Sequence, residues 1–384
     1  MPYGMANPKR MLSESQEELY KVFVESNGKK FVKNKKRRYR ISDDVFQKIS
    51  NEKVFEIPEG QHIKGQSTLY DADGKKIMEW VKTSNDNFQK ENIIQSIVDG
   101  MSDKIEKVDP SYFDPVKLNS LDDSIINQYT VTDYHLGLMA WGEETKDDDW
   151  NLKIAEELLT SWFEKAIQLS PNSEDCIFAQ IGDFLHWDGL DAVTPTSRNL
   201  LDADTRFTKL VRVALRVLRK AIDMLLSKHN RVFIVMAEGN HDLASSIWLK
   251  ETFSLYYENE PRVIVDTNPD PYYSFLFGKT LLFYNHGHLK KFSALDSVFV
   301  SKFKKEFGVA KNVYAHTGHL HHNELKETAL MIIEQHRTLA AKDSHASRHG
   351  YSSGRDAKVI TYHKEYGEVA RQTINVDIIK DSVK

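Results

Sequence analysis

Five short fragments hold the residues of this chain that could do chemistry: Asp133-Tyr134-His135, Gly182-Asp183, Gly239-Asn240-His241-Asp242, Asn285-His286-Gly287-His288 and Gly318-His319-Leu320-His321. Carboxylate and amide oxygens mixed with imidazole nitrogens suit Mn, Fe, Zn or Ni better than Ca or Mg. Two such cations about 3.5 to 4 Å apart need a shared anion, and the Asp183 carboxylate can bind both. Asp133 and His135, two residues apart in extended chain, would share a side of a strand and hold one cation together. His319 and His321 repeat that spacing. Asn240 offers a neutral oxygen where a further negative charge would over-neutralise the metals. Each fragment alone is commonplace, since Asp-x-His is frequent on surfaces and Gly-Asn suits a turn. Their order, each behind an apolar run, is what carries meaning.

Those apolar runs read as strands. Residues 125 to 131 feed Asp133, 177 to 181 feed Asp183, and 232 to 236 feed Asn240 and His241. Between them, 151 to 169 is an amphipathic helix that Asp149 could cap, and 207 to 226 is a long helix. Strands alternating with helices imply parallel strands joined by crossovers. Beyond residue 270 the pattern is mainly β, over 272 to 277, 281 to 284, 313 to 316, 329 to 336, 358 to 363 and 369 to 376. The expected product is a layered α/β domain with its site where loops converge at strand C-termini.

A chain of 384 residues is comfortable for two domains. The expected boundary is near residue 120, with an accessory α+β domain over 1 to 120 and the layered domain over 121 to 384. In the first part, 11 to 27 reads as a helix and 62 to 82 as a hairpin around Asp71-Ala72-Asp73-Gly74. A helix over 88 to 105 leads into a linker marked by Pro110 and Pro115. The net charge of -4 says little about partners. One cysteine, Cys176, cannot form an internal disulfide, which points to a reducing compartment. No apolar signal stretch opens the sequence and no window reaches the ~18 apolar residues of a membrane span. The expected location is cytoplasmic, with no membrane partner.

In kind and order, the fragments D-x-H, G-D, G-N-H-D, H-G-H and G-H-x-H resemble the calcineurin-like metallophosphoesterase superfamily, over residues from about 125 to 325. The resemblance implies a four-layer fold, a β-sandwich flanked by helices. It implies one metal held by Asp133, His135, Asp183 and His321, and a second by Asp183, Asn240, His286 and His319. Either His286 or His288 could be the ligand of the H-G-H element, and His286 is nearer the strand end. His241 would be the catalytic histidine and Asp242 would orient it. Two divalent ions, Mn first among Mn, Fe, Zn and Ni, would supply a bridging hydroxide for in-line attack on phosphorus. His241 would stabilise the phosphoryl charge or protonate the leaving alkoxide.

Two features bear on the substrate. His186, three residues after Asp183, resembles the DNA-repair exonuclease branch of that superfamily, where such a histidine serves exonucleolytic cleavage. The polar segment 188 to 206 is long enough to cover the site or grip substrate. The run from 29 to 40 holds eight cations in twelve residues and no acid: Lys29, Lys30, Lys33, Lys35, Lys36, Arg37, Arg38 and Arg40. Clustered cations release counterions from nucleic acid, although charge runs are commonly solvated strands or loops. The expectation is therefore a nuclease or phosphodiesterase on DNA or RNA, with room for a homo-oligomer. The alternatives are a phosphatase or phosphodiesterase for small nucleotides or phosphoproteins, and an inactive nucleic-acid-binding protein on the same fold.

Overall fold

The computed structural model describes four N-terminal strands, Phe31–Asn34 (β1), Arg37–Arg40 (β2), His62–Tyr70 (β3) and Lys76–Ser84 (β4), then residues 95, 97 and 98, and the chain from 121 to 383. The chain divides into two compact units, Met1–Phe88 and Gln89–Lys384. In the first, β1 and β2 pair antiparallel with Lys33 opposite Arg38, so the basic run folds back on itself as a hairpin. β3 and β4 form the expected second hairpin, His62 opposite Ser84. Residues 95, 97 and 98, inside the helix expected over 88 to 105, are helical. The helix expected over 11 to 27, the turn 71 to 74, the linker prolines and Lys29, Lys30, Lys35 and Lys36 lie outside the described residues.

The second unit is built on two mixed sheets. The larger runs Gly367–Asn375 (β15), Asp356–His363 (β14), Asp122–Val131 (β5), Ser173–Ile181 (β6), Arg231–Ala237 (β7) and Val263–Val265 (β8) in spatial order. β5 through β8 are parallel, β14 pairs antiparallel with β5, and β15 pairs antiparallel with β14. The smaller runs Glu324–Glu327 (β12), Ile332–Gln335 (β13), Asn312–Thr317 (β11), Thr280–Tyr284 (β10) and Tyr273–Phe277 (β9), with β10, β11 and β13 parallel. Ile126, Ile177, Ala179, Ile181 and Val235 of the first sheet pack on Tyr273, Leu282 and Tyr284 of the second. The few polar atoms trapped between the sheets find one another: the Tyr284 hydroxyl donates to Gln128 Oε1 at 2.9 Å, as buried polar groups must.

Helices cover both outer faces. Leu152–Leu169 turns Leu152, Ala155, Leu158, Leu159, Trp162, Phe163 and Ala166 inward at helical spacing. With Phe207–Leu226 it closes the large core on the first sheet. Leu295 and Phe299 of the helix Leu295–Lys302 cover Leu281, Phe283 and Ala315 of the second sheet. The order is helix, sheet, sheet, helix: the four-layer α/β arrangement expected.

Several local expectations are corrected. Asn151, not Asp149, caps the first long helix, its side-chain oxygen accepting from Ile154 N at 2.9 Å. Asp149 instead accepts from Gly142 N at 2.7 Å. The strand expected over 329 to 336 shortens to β13, because β12 precedes it; the four residues of β12, Glu-Leu-Lys-Glu, are all exposed and show no apolar alternation. The last strand ends at Asn375, and Val376–Val383 is a helix. Asn151→Ala should destabilise the chain by about 1 kcal/mol, read as a lower urea midpoint for the full chain. Asp149→Ala should cost less, and equal losses would return the cap to Asp149.

Candidate metal centre

Parallel register brings the five fragments to one edge. Val131 of β5 lies opposite Gln180 of β6, and Ile181 of β6 opposite Ala237 of β7, so Asp133, Asp183 and Asn240 follow neighbouring strand ends. Tyr284 of β10 lies opposite His316 of β11, which does the same for His286 and His319 on the second sheet. The two sets are stitched together across the sandwich: His319 N donates to Asp133 Oδ2 at 2.9 Å, and His286 Nδ1 donates to Ile181 O at 2.8 Å.

The turn geometry differs from the extended chain expected for Asp133 and His135. Both have left-handed backbones, φ 50° and 46°, as do Asp183 at 50°, His319 at 76° and His321 at 56°. Non-glycine residues seldom adopt this region, and where they do the surroundings hold them there. Asp133 N donates to Gly182 O and His135 N to Asp183 O, both at 3.0 Å, and these bonds fix the turn. The motif glycines make room for it. A Cβ on Gly239 would stand 1.9 Å from Asp183 Oδ1, and one on Gly318 would stand 1.9 Å from Thr132 Oγ1 and 2.3 Å from Asp133 Oδ2.

Two carboxylate-imidazole clusters result, Asp133 with His135 and His321, and Asp183 with His286 and His319, and a third group of donor atoms joins His135 to His186 and His241. His321 Nε2 lies 3.1 Å from Asp133 Oδ1 and 3.3 Å from His135 Nε2. His286 Nε2 lies 3.1 Å from Asp183 Oδ2 and 3.9 Å from Asp133 Oδ1, so the clusters abut. Both carboxylates are buried. Burial would raise them, but His321 and His286 beside Asp133, and His286 and His241 beside Asp183, hold both below the usual carboxylate range. His286 shows the reverse balance, since burial pulls it down while Asp183 and Asp133 outweigh that and raise it to about 10.

The donors fit divalent cations. Asn240 Oδ1 and His288 Nδ1 are buried and make no hydrogen bond of good geometry, a cost of about 1 to 3 kcal/mol each unless a ligand satisfies them. His286 Nδ1 donates to Ile181 O at 2.8 Å, which turns Nε2 to Asp183; this is the orientation a metal-binding imidazole needs. His288 is half-buried with its ring 6.2 Å from that of His319, so both histidines of the H-G-H element stand at this end of the site.

No family model matches the chain, and no curated protein matches it. Solved structures similar to it include a predicted phosphoesterase from Streptococcus pneumoniae, 10% identical over 65% of this chain and 98% of that one, with a TM-score of 0.25. Vps29 from Entamoeba histolytica in complex with zinc is 9% identical over 66% and 99%, with a TM-score of 0.27. PhoD is 10% identical over 65% and 68%, with a TM-score of 0.29. At such values the site is read from its own residues.

Asp242 does not orient His241. Its Oδ1 accepts from Asp183 N at 3.2 Å and Gly239 N at 3.1 Å, and its Oδ2 from Leu185 N at 3.1 Å, so it braces the Gly182-Asp183 turn. His241 Nδ1 instead donates to His186 O at 2.8 Å, leaving Nε2 free. His186 is 2% exposed and lies against His135 and His241. A cleft of about 580 Å³ opens over the clusters, lined by His135, Asp183, Asn240, His241, His319 and His321. Its far wall comes from Thr338 to Arg355, not from the segment 188 to 206. Within that segment Asp188 caps the helix Leu243–Tyr256, accepting from Ser245 N at 2.7 Å. The wall residues Lys342, His345 and Tyr351 were missed because no periodic pattern or motif marks them.

Two outcomes follow for metal binding. Gly239→Ala should displace the Asp183 carboxylate and weaken Mn²⁺ binding at least 10-fold by calorimetry; unchanged affinity would dismiss the packing argument. Because His286 in the metal-free chain is raised well above its ordinary value of 6.5, its contribution to stability is present below about pH 6.5 and fades as pH rises through about 10. Mn²⁺ binding at pH 7.5 must therefore release a proton. Calorimetry in buffers of different ionisation enthalpy should show it, and a buffer-independent heat would contradict the assignment.

Proposed function

We propose that this chain is a metallophosphoesterase of the calcineurin-like kind, cleaving phosphodiesters in DNA or RNA. The abutting pair of carboxylate-imidazole clusters carries the reading. Asp133, His135, Asp183 and His321 would hold one divalent ion, and Asp183, Asn240, His286 and His319 a second, with Mn²⁺ the first choice. Bound there, the ions would lower the pKa of water and neutralise phosphoryl charge. The other tasks fall to side chains of the chain itself. His241, its Nδ1 tied to the His186 carbonyl, presents Nε2 to the cleft and would protonate the leaving oxygen. Asp242 keeps the Asp183 turn in place through three backbone amides. The complete donor sets speak against an inactive binding protein.

The nucleic-acid half of the proposal rests on the basic hairpin, whose Lys33, Arg37, Arg38 and Arg40 lie in β1 and β2. Residues 1 to 120 would then act as a substrate-binding domain for residues 121 to 384. The cleft supports a second reading, because about 580 Å³ lies within the range of small-molecule sites; there the substrate would be a small nucleotide. A cytoplasmic location agrees with the buried, unpaired Cys176, and among the described residues no helix is long and apolar enough to cross a membrane.

Asp183→Ala and Asn240→Ala should each abolish Mn²⁺-dependent hydrolysis of an aryl phosphodiester, and retained turnover would refute the site. A panel of single-stranded DNA, duplex DNA, RNA, cyclic nucleotides and an aryl phosphomonoester separates the two readings. Replacing Lys33, Arg37, Arg38 and Arg40 by Ala in the full chain should weaken duplex binding at low salt and flatten its salt dependence while sparing aryl phosphodiester turnover. Unchanged binding would leave the small-nucleotide reading standing.

A further inference from the structure

We propose that His186 is a positioning residue that holds the metal ligand His135 through a ring-to-ring hydrogen bond, rather than a group that touches substrate. The inference rests on the dinuclear reading above. His135 presents Nε2 to its cluster, 3.3 Å from His321 Nε2. Its other ring nitrogen, Nδ1, lies 3.3 Å from His186 Nδ1. An imidazole that gives Nε2 to a cation keeps its single hydrogen on Nδ1, so His135 donates and His186 Nδ1 accepts. Ligating histidines ordinarily give that hydrogen to a carboxylate, a carbonyl or water, and the acceptor fixes both tautomer and ring orientation. At His135 the acceptor is another histidine.

The surroundings favour that part, although His186 also stands within ligand distance of His135 and His241, an alternative that metal stoichiometry separates. Its ring is 2% exposed, absent from the residues lining the cleft, and closed in by His135 and His241, with ring centroids 5.2 and 5.5 Å away. Its own hydrogen then sits on Nε2, which has no further hydrogen-bond partner. Its backbone carbonyl takes the Nδ1 hydrogen of His241 at 2.8 Å. One residue thus aims two imidazoles, His135 by its side chain and His241 by its main chain.

The test is Mn²⁺ binding by the full, metal-stripped chain, titrated calorimetrically with MnCl₂ and checked by bound-metal stoichiometry. His186→Asn sets an amide oxygen where Nδ1 stands, whereas His186→Gln reaches only the Nε2 position. The expected result is near-wild-type affinity for His186→Asn and a loss of roughly 10- to 100-fold at one of two sites for His186→Gln and His186→Ala. Thermal unfolding of each variant without metal identifies any that fail to fold, and the Asn-to-Gln contrast stands without the Ala variant. Equal, wild-type affinity in His186→Asn and His186→Gln would overturn the inference, as would a third Mn²⁺ per chain lost on substitution of His186. A wild-type chain that binds no Mn²⁺ would overturn the dinuclear reading itself.

Discussion

The second unit is organised around two carboxylates, Asp133 and Asp183, buried side by side at the edge of the sandwich. A lone carboxylate out of water is costly enough that it ordinarily takes up a proton. Here both are held below the usual range because imidazoles surround them. His286 and His321 are raised in turn, the carboxylates overcoming the effect of burial. Protons on histidines are thus the internal substitute for cations, and metal binding exchanges one kind of positive charge for another. That exchange makes the centre pH-dependent, since a cation must displace what already neutralises the pocket.

Burying these groups required the backbone to do what side chains could not. Among the described residues, five of the seven non-glycine ones with positive φ are candidate ligands. In extended chain residues two apart share a face but stand about 6.5 Å apart along it; the left-handed turns after β5, β6 and β11 instead gather them at one point. The cost is spread over hydrogen bonds between loops of both sheets, so the sandwich and the site stabilise each other. The same constraint explains the neighbouring glycines. Gly239 and Gly318 stand where any Cβ would enter a carboxylate or its hydroxyl partner, so the apparent motif is the imprint of close packing around Asp183 and Asp133.

This accounts for what could be read in the sequence. Strand ends were legible because β5, β6, β7, β10 and β11 are short apolar runs followed at once by polar, glycine-bearing turns. The helix at Phe207–Leu226 was legible from its apolar stripe. Partnerships were not. Asp242 follows His241 directly, yet its carboxylate reaches back to three amides of the turns it braces, while the carbonyl of His186, 55 residues earlier, receives the His241 hydrogen. Main-chain carbonyls have no sequence signature, so the acceptors that aim His286 and His241 could not have been named in advance. Asn151 and Asp149 are both good caps by type, and only the local backbone chose between them. The cleft wall from Thr338 to Arg355 was invisible for a related reason: its members share no spacing and meet only through tertiary folding.

A separate cluster, buried throughout, shows why residue type alone does not make a metal centre. His316, Glu334 and His336 also place their donor atoms close together. There the charges are already matched, because Glu334 accepts from Lys358 Nζ at 2.7 Å and from Arg371 at 2.6 and 2.9 Å. His316 is bonded on both sides, to His336 Nε2 and to the Tyr362 hydroxyl, each at 2.9 Å. A cation would face two fixed positive side chains and would have to break an existing network to reach its ligands. At Asp133 and Asp183 the opposite holds: among the described residues no lysine or arginine pairs with either carboxylate, and the nearby nitrogens can surrender protons. Two clusters built from the same residue types therefore differ in kind, one closed by its own lysine and arginine as internal structure, the other neutralised by imidazoles whose protons a cation can replace. The closed cluster in turn supports the open one, for His336 N donates to Thr317 O at 2.9 Å and the Thr338 hydroxyl to Asp133 O at 2.6 Å, pinning the chain on either side of the ligand loops.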